Sequence, residues 1–159
     1  MKARKERARL APYWTFVDSG YLPTEVYKFC RKTMPLVRID VRKGKDVAYR
    51  QEIGRVVYEA LVGVGVPKDD RFQVISEYDT DSFLFDPDYL GIHRTNDLVI
   101  IQITWNEGRN PEQKKALYKA IADGLHSAVG LRREDVFISL VEVKKENWFY
   151  GNGIAQYAV

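Results

Sequence analysis

Leu36-Val37-Arg38-Ile39 and Leu98-Val99-Ile100-Ile101 open two segments that run in parallel along the chain, and their alignment decides the fold. Gly44-Lys45 answers to Gly108-Arg109, Gly65-Val66 to Gly130-Leu131, and Asp70-Arg71-Phe72 to Asp135-Val136-Phe137, at an offset that stays between 62 and 65 residues. Self-similarity at a steady spacing is the mark of one supersecondary unit used twice. In the first copy Ile53, Val56, Val57, Ala60, Leu61 and Val64 recur at helical spacing and draw one apolar stripe, which ends near Gly65-Val66-Pro67. In the second, Asn110 is a natural N-cap, Pro111 suits the first helical position and Gln113 completes a capping-box pair. Leu117, Ile121 and Leu125 mark its buried face, and Gly130 its C-terminal stop.

The β-branched runs Asp97 to Thr104 and Val136 to Val143 read as strands. Each copy is therefore strand, helix, strand, and a crossover helix makes the two strands of a copy parallel. The predicted fold is an α/β (α+β) domain of two duplicated β-α-β units, with a four-stranded mixed core sheet and two helices on one face. Two helices cover only one side of such a sheet. The continuous apolar run Leu98 to Ile101 nonetheless reads as a strand buried on both faces, so another subunit is expected on the second side. A short extra strand is expected over Ser82 to Phe85, before the Asp86-Pro87-Asp88 turn.

A chain of 159 residues with 45% apolar and 13% aromatic content has the make-up of one globular domain. No stretch approaches the roughly 18 apolar residues of a membrane span, and the basic start has no apolar segment behind it, so the expected address is the cytoplasm, with no membrane partner. Cys30 is the single cysteine, which excludes an intrachain disulfide and a multi-thiolate metal site. Residues 1–34 hold eight Lys or Arg against three acids, whereas the remainder holds 17 against 19. The reading is a basic leader, residues 1–34, outside the mature protein, followed by a domain over 35–159. Lys2, Arg4, Lys5, Arg7 and Arg9 are read as a solvated tail, and no nucleic-acid partner is expected.

No phosphate-binding glycine loop, zinc spacing or nucleophile elbow is present. His93 and His126 are too far from other ligands to suggest a metal, and neither is assigned a role. The informative pair is Met34-Pro35, because a methionine followed by proline and then a strand is how a processed amino-terminal proline is encoded. Met34-Pro35-Leu36-Val37, the stretch Val66 to Gln73, the stretch Gly108 to Lys114 and the closing Asn147-Trp148-Phe149-Tyr150-Gly151 occur together in order. In these motifs the chain, over about 125 residues from Pro35 onward, resembles the tautomerase superfamily of 4-oxalocrotonate tautomerase-like proteins. The nearest subgroup is similar to malonate semialdehyde decarboxylase. The resemblance implies a homotrimer and a catalytic proline freed by loss of the preceding methionine. It also implies an aspartate at the position of Asp70 and two arginines, of which Arg109 matches the second. Trp105-Asn106-Glu107 stands where the first would lie, a departure that weighs against decarboxylation.

The chemistry also follows from elementary properties. A free proline is a secondary amine with an α-amino pKa near 7.7–8.0, which burial and a neighbouring guanidinium both lower. Pro35 is then a general base, Arg109 a clamp for a carboxylate and developing enolate, and Asp70 a group that orients water or shuttles protons. Trp148, Phe149 and Asn106 are the expected substrate-binding residues. The expected activity is keto-enol tautomerisation of a small 2-oxo or 2-hydroxymuconate-type acid, with no cofactor and no metal. Decarboxylation or hydration of a three-carbon oxo acid is the alternative.

Each residue has a plainer role as well. Pro35 can simply start a strand, Asp70 can be a turn residue like its partner Asp135, and Arg109 can be loop charge like Lys45. Trp148 and Phe149 can finish a core or interface, and Arg71 and Arg94 are expected in structural ion pairs. A proline nitrogen within a peptide bond is not basic, so three possibilities stand for the leader. Translation begins at Met34, the leader is cleaved, or it is kept and the protein is a non-catalytic relative.

Overall fold

The structure is a computed structural model that describes residues 34–157. The leader and Cys30, apart from Met34, lie outside the described residues. The order is β1 (Leu36–Arg42), α1 (Val47–Gly63), β2 (Phe72–Tyr78), β3 (Val99–Asn106), α2 (Pro111–Val129) and β4 (Val136–Val143). The sheet order is β2-β1-β3-β4. β1 pairs with β2 in parallel and β3 with β4 in parallel, and the two copies meet where β1 runs antiparallel to β3, from Leu36↔Thr104 to Asp40↔Ile100.

Val37, Ile39 and Val41 of β1 alternate with polar neighbours and pack with Val99, Ile101, Ile103 and Trp105 of β3 beneath the helices. Ile53, Val57 and Leu61 of α1, with Leu117, Ile121 and Leu125 of α2, close the core from above. The helix ends are set by side chains. Asp46 accepts from the Tyr49 N–H at 2.7 Å, and Asn110 and Gln113 form the reciprocal capping box. Gly130 ends α2 in the left-handed conformation, φ 68°.

The other face of the sheet carries Phe72, Val74 and Phe137, all exposed, and α1 and α2 pack on the opposite face. The duplication is closer than the opening tetrapeptides suggest, and slipped by two residues. Leu36 faces Phe72 as Ile100 faces Phe137, so Leu36 is equivalent to Ile100 rather than to Leu98. Gly44 and Gly108 share φ 113°, and Lys43 N–H donates to Tyr78 as Glu107 N–H donates to Val143. β3 accordingly runs two residues beyond the expected end at Thr104 and also starts two residues later.

Ser82 to Phe85 is not a strand. Thr80–Ser82 forms a 3-10 turn, Phe83 folds back against Tyr78, and Phe85 meets Phe83 edge-on. This segment repeats Lys145–Asn147, also a 3-10 turn, followed by Trp148 and Tyr150. The aromatic alternation that mimics a strand belongs instead to a segment that packs rings and makes no ladder. Arg71 and Arg94 also differ from expectation. Arg71 donates to Gln73 at 3.0 Å and lies 5.0 Å from the Tyr58 ring centroid, while Arg94 donates to the carbonyls of Tyr89 and Ile92. Neither forms an ion pair among the described residues, because backbone carbonyls and a ring face take the place of carboxylates.

Removing the Ile121 side chain (Ile121→Ala) is expected to cost about 2–5 kcal/mol, the range for truncating a fully buried aliphatic residue. Asn110→Ala, which removes only the cap, should cost about 1 kcal/mol. Urea denaturation of both variants measures the contrast, and equal losses would show that α2 is not anchored by its buried face.

Candidate active site

Proline has no N–H for a sheet ladder, so it is tolerated at the entry to a strand, and Pro35 lies buried immediately ahead of β1. One step beyond Leu36↔Thr104, the antiparallel register sets Pro35 opposite Trp105, and a second step sets Met34 opposite Asn106. The parallel register beyond Leu36↔Phe72 sets Met34 beside Asp70. Three chain segments far apart in sequence therefore converge at one end of the sheet.

Past Asn106 the chain turns at Gly108, whose φ of 113° suits glycine, and this turn aims Arg109 back over the strand end. The guanidinium lies 3.9 Å from the Trp105 ring centroid, and its Nη1 donates to the Asn106 carbonyl at 3.0 Å. Burial lowers the Arg109 pKa, and the Glu142 carboxylate pulls in the opposite direction. Arg109 stays charged, and the Trp105 face holds it in place.

Trp148 donates its indole N–H to Asn106 Oδ1 at 2.8 Å. Asn106 is 1% exposed, and its Nδ2 is buried with no partner among the described residues. A buried amide N–H without an acceptor is uncommon, because leaving it unpaired costs the desolvation of that group. Trp148 stacks on Tyr150 at 5.8 Å and 10°, and Tyr150 meets Tyr157 edge-on at 5.6 Å. Burial raises the Tyr150 pKa, with the charges of Tyr157 and Asp70 acting in the same direction. Asp70 itself is 2% exposed.

A cavity of about 230 Å³ lies against Met34, Pro35, Leu36, Phe72, Trp148 and Tyr150. Phe149 also borders it, but at 62% exposure it sits at the mouth. Of the expected residues, the structure brings Pro35, Trp148 and Phe149 to one cavity. Asn106 is tied to it through Trp148, Asp70 is beside Met34 in the β1–β2 register, and Arg109 stands against Trp105; none of these three is part of the wall. Phe72 and Tyr150 are the wall residues that residue-by-residue reading misses. Their signal is the aromatic spacing Trp148-x-Tyr150, which repeats Phe83-x-Phe85.

The equivalent aspartates share a backbone turn. The backbone N–H of each donates to the carbonyl three residues back, Asp70 to Pro67 and Asp135 to Arg132, both at 3.1 Å. Asp135 accepts from the Thr95 hydroxyl at 2.8 Å and from its backbone N–H, a structural tie that pins the segment entering β3. His93 is exposed beside Asp88 at 2.7 Å, and His126 faces the Leu131 carbonyl at 3.0 Å, both away from the cavity. No group of three His, Cys, Asp or Glu that could hold a metal occurs among the described residues.

Two family models, both described as tautomerase enzyme, match the chain, over residues 35–92 and 70–151. The probable tautomerase YusQ of Bacillus subtilis (strain 168) is 44% identical over 124 residues, covering 77% of this chain and 98% of the relative. Among solved structures, FG41 malonate semialdehyde decarboxylase inhibited by 3-bromopropiolate is 34% identical, with a TM-score of 0.71, over 77% of this chain and 93% of that one. A fused 4-OT symmetric trimer, 21% identical, shares the fold with a TM-score of 0.64 over 77% of this chain and 98% of that one.

The Asn106–Trp148 bond is testable by a double-mutant cycle. Trp148→Phe leaves the buried Asn106 oxygen without its donor and should cost about 1–3 kcal/mol. In an Asn106→Leu background the same change should cost less, and a coupling under about 0.5 kcal/mol would show that the bond does not hold this segment.

Proposed function

Since the chain belongs to the tautomerase family, we propose that residues 35–159 form a cofactor-independent tautomerase in which Pro35, as a free amino terminus, is the general base. The observation that carries this reading is the burial of Pro35 against an aromatic cavity, at the strand end that bears Asn106 and Arg109. The first family match also begins at residue 35, so the part of the chain that resembles tautomerases starts at this proline.

The substrate class is a small 2-oxo or 2-hydroxymuconate-type acid. Its apolar part rests on Trp148, Tyr150 and Phe72, with Phe149 at the entrance. With Met34 gone, its carboxylate or enolate oxygen reaches the Asn106 Nδ2–H, which lies behind the wall while Met34 is present, and sits in the field of Arg109. Pro35 removes a proton from the carbon next to the carbonyl, charge moves onto oxygen, and the proton is returned at another carbon. Asp70 orients a water or serves as a second proton-transfer group. Only protons move, so this chemistry balances without a redox partner.

The second reading, decarboxylation or hydration of a three-carbon oxo acid, is favoured by the likeness to malonate semialdehyde decarboxylase. In that mode Pro35 works protonated. The single cation Arg109, with Asn106 and Glu107 ahead of it, supports tautomerisation instead.

Both readings require that Pro35 not be acylated. Met34 is 7% exposed and forms part of the cavity wall, so its loss both frees the nitrogen and opens space. Translation from Met34 with removal of that residue, or cleavage of the leader, achieves this. A chain that keeps residues 1–34 is a non-catalytic relative. The exposed Phe72, Val74 and Phe137 support an oligomer that covers the open sheet face, and a homotrimer like the fused 4-OT is the proposed form. The described residues hold no helix long and apolar enough to cross a membrane, and a cytoplasmic address is proposed.

The test compares a chain beginning at Pro35, its Pro35→Ala variant and the 159-residue chain in a phenylpyruvate enol assay. The first should turn over, with kcat/KM rising with pH through the Pro35 pKa and levelling above it. Pro35→Ala should lose about 10²- to 10⁴-fold, the usual share of a general base. Equal rates in the full chain would remove the proline from the mechanism. Arg109→Gln should weaken turnover of the acid by at least about tenfold through lost charge-assisted binding.

A further inference from the structure

The internal two-fold gives the Pro35 cavity a counterpart at the opposite end of the sheet. There Leu98, Ile100, Phe137 and Phe85 occupy the places of Met34, Leu36, Phe72 and Tyr150, and they border a cavity of about 190 Å³. We propose that this second cavity is a non-catalytic binding site for a small, singly charged carboxylic acid with an apolar body of about one ring. The inference does not rest on Pro35 being free.

Arg94 supplies the cation. It borders the cavity at 9% exposure, its backbone N–H donates to Pro87 at 2.7 Å, and its Nη1 donates to the carbonyls of Tyr89 and Ile92 at 3.0 and 3.2 Å. Its Nε is buried with no partner among the described residues. A guanidinium taken out of water without a carboxylate is costly unless an anion joins it, and the Nε edge is the side its carbonyl contacts leave for a carboxylate oxygen. Asp86, also on the wall, accepts from the Asp88 N–H at 2.9 Å. Its charge repels a second negative group, which limits the ligand to one. The volume is below the range of drug-sized pockets, which limits it to a compact body.

Chemistry is not expected at this end. Val99 stands where Pro35 stands, and its nitrogen is a mid-chain amide with no basic lone pair. An assembly that repeats the internal two-fold and leaves the Pro35 cavity open to substrate leaves this one open as well. Acid bound here therefore adds to the family of ligands the protein holds without adding to turnover.

The experiment titrates the full chain with 3-fluorobenzoate, followed by fluorine NMR. A saturable component is expected with a Kd of about 1 mM or tighter. Arg94→Met and Ile100→Trp should each weaken it by at least about tenfold, while Trp148→Ala in the other cavity leaves it unchanged. Ile100→Trp fills the space yet keeps Arg94 and its carbonyl contacts, so a folding defect in the Arg94 variant does not decide the result. Absence of saturable binding, or binding that survives Ile100→Trp or disappears with Trp148→Ala alone, overturns the proposal.

Discussion

The pairing of β1 with β3 holds this protein together in both senses. Each β-α-β copy is a right-handed unit with one apolar sheet face, too small to bury that face alone. The five register pairs from Leu36↔Thr104 to Asp40↔Ile100 join the copies into one sheet, and the two helices then share a single core over it. Because the pairing is antiparallel, the start of β1 lies beside the end of β3. A proline at residue 35 and an arginine at residue 109 come to one end of the molecule for this reason alone.

That end is rich in hydrogen-bond donors. Asn106 spends its oxygen on Trp148 and keeps a buried N–H free, and Arg109 is fixed on the Trp105 face by a ring and a carbonyl rather than by a close carboxylate. Positive charge backed by an aromatic face and partly shielded from water acts strongly on an oxyanion, since the local dielectric is low. Trp148 and Tyr150, stacked on one another, wall the neighbouring cavity, and Tyr157 meets Tyr150 edge-on.

The two copies show how one frame diverges. Asn106 has Arg42 as its counterpart, and Arg42 reaches the Phe83 carbonyl at 3.1 Å and the Phe83 and Phe85 rings at 5.9 and 5.4 Å. Arg109 has Lys45, which is neutralised by Asp97 at 2.8 Å. The cation position is thus kept in both copies, but one copy leaves its charge available while the other ties it to an acid. Asp135 is committed to Thr95, and Asp70 stands at the equivalent place in the first copy, beside Met34 in the β1–β2 register.

Much of this was legible in the residues themselves. The stripe Ile53 to Val64, the box Asn110–Gln113 and the stop at Gly130 fix both helices, because helical periodicity and capping are local properties that spacing reveals. The duplication, the mixed sheet and the family resemblance followed from motif order. Ser82–Phe85 resembles a strand in sequence because alternating aromatics look alike in a strand and in a folded-back loop; the contact of the Phe83 ring with Tyr78 separates the two. The two-residue slip between the copies was hidden for a similar reason, since apolar strands align equally well at any even shift. Arg71 and Arg94 find a ring and carbonyls where acids were expected, a choice that charge alone does not encode. Which residues wall the cavity, and that Asp70 and Arg109 stand behind it rather than in it, are set by how three distant segments meet across the sheet. Long-range register decides that geometry, and no stretch of the chain carries it locally.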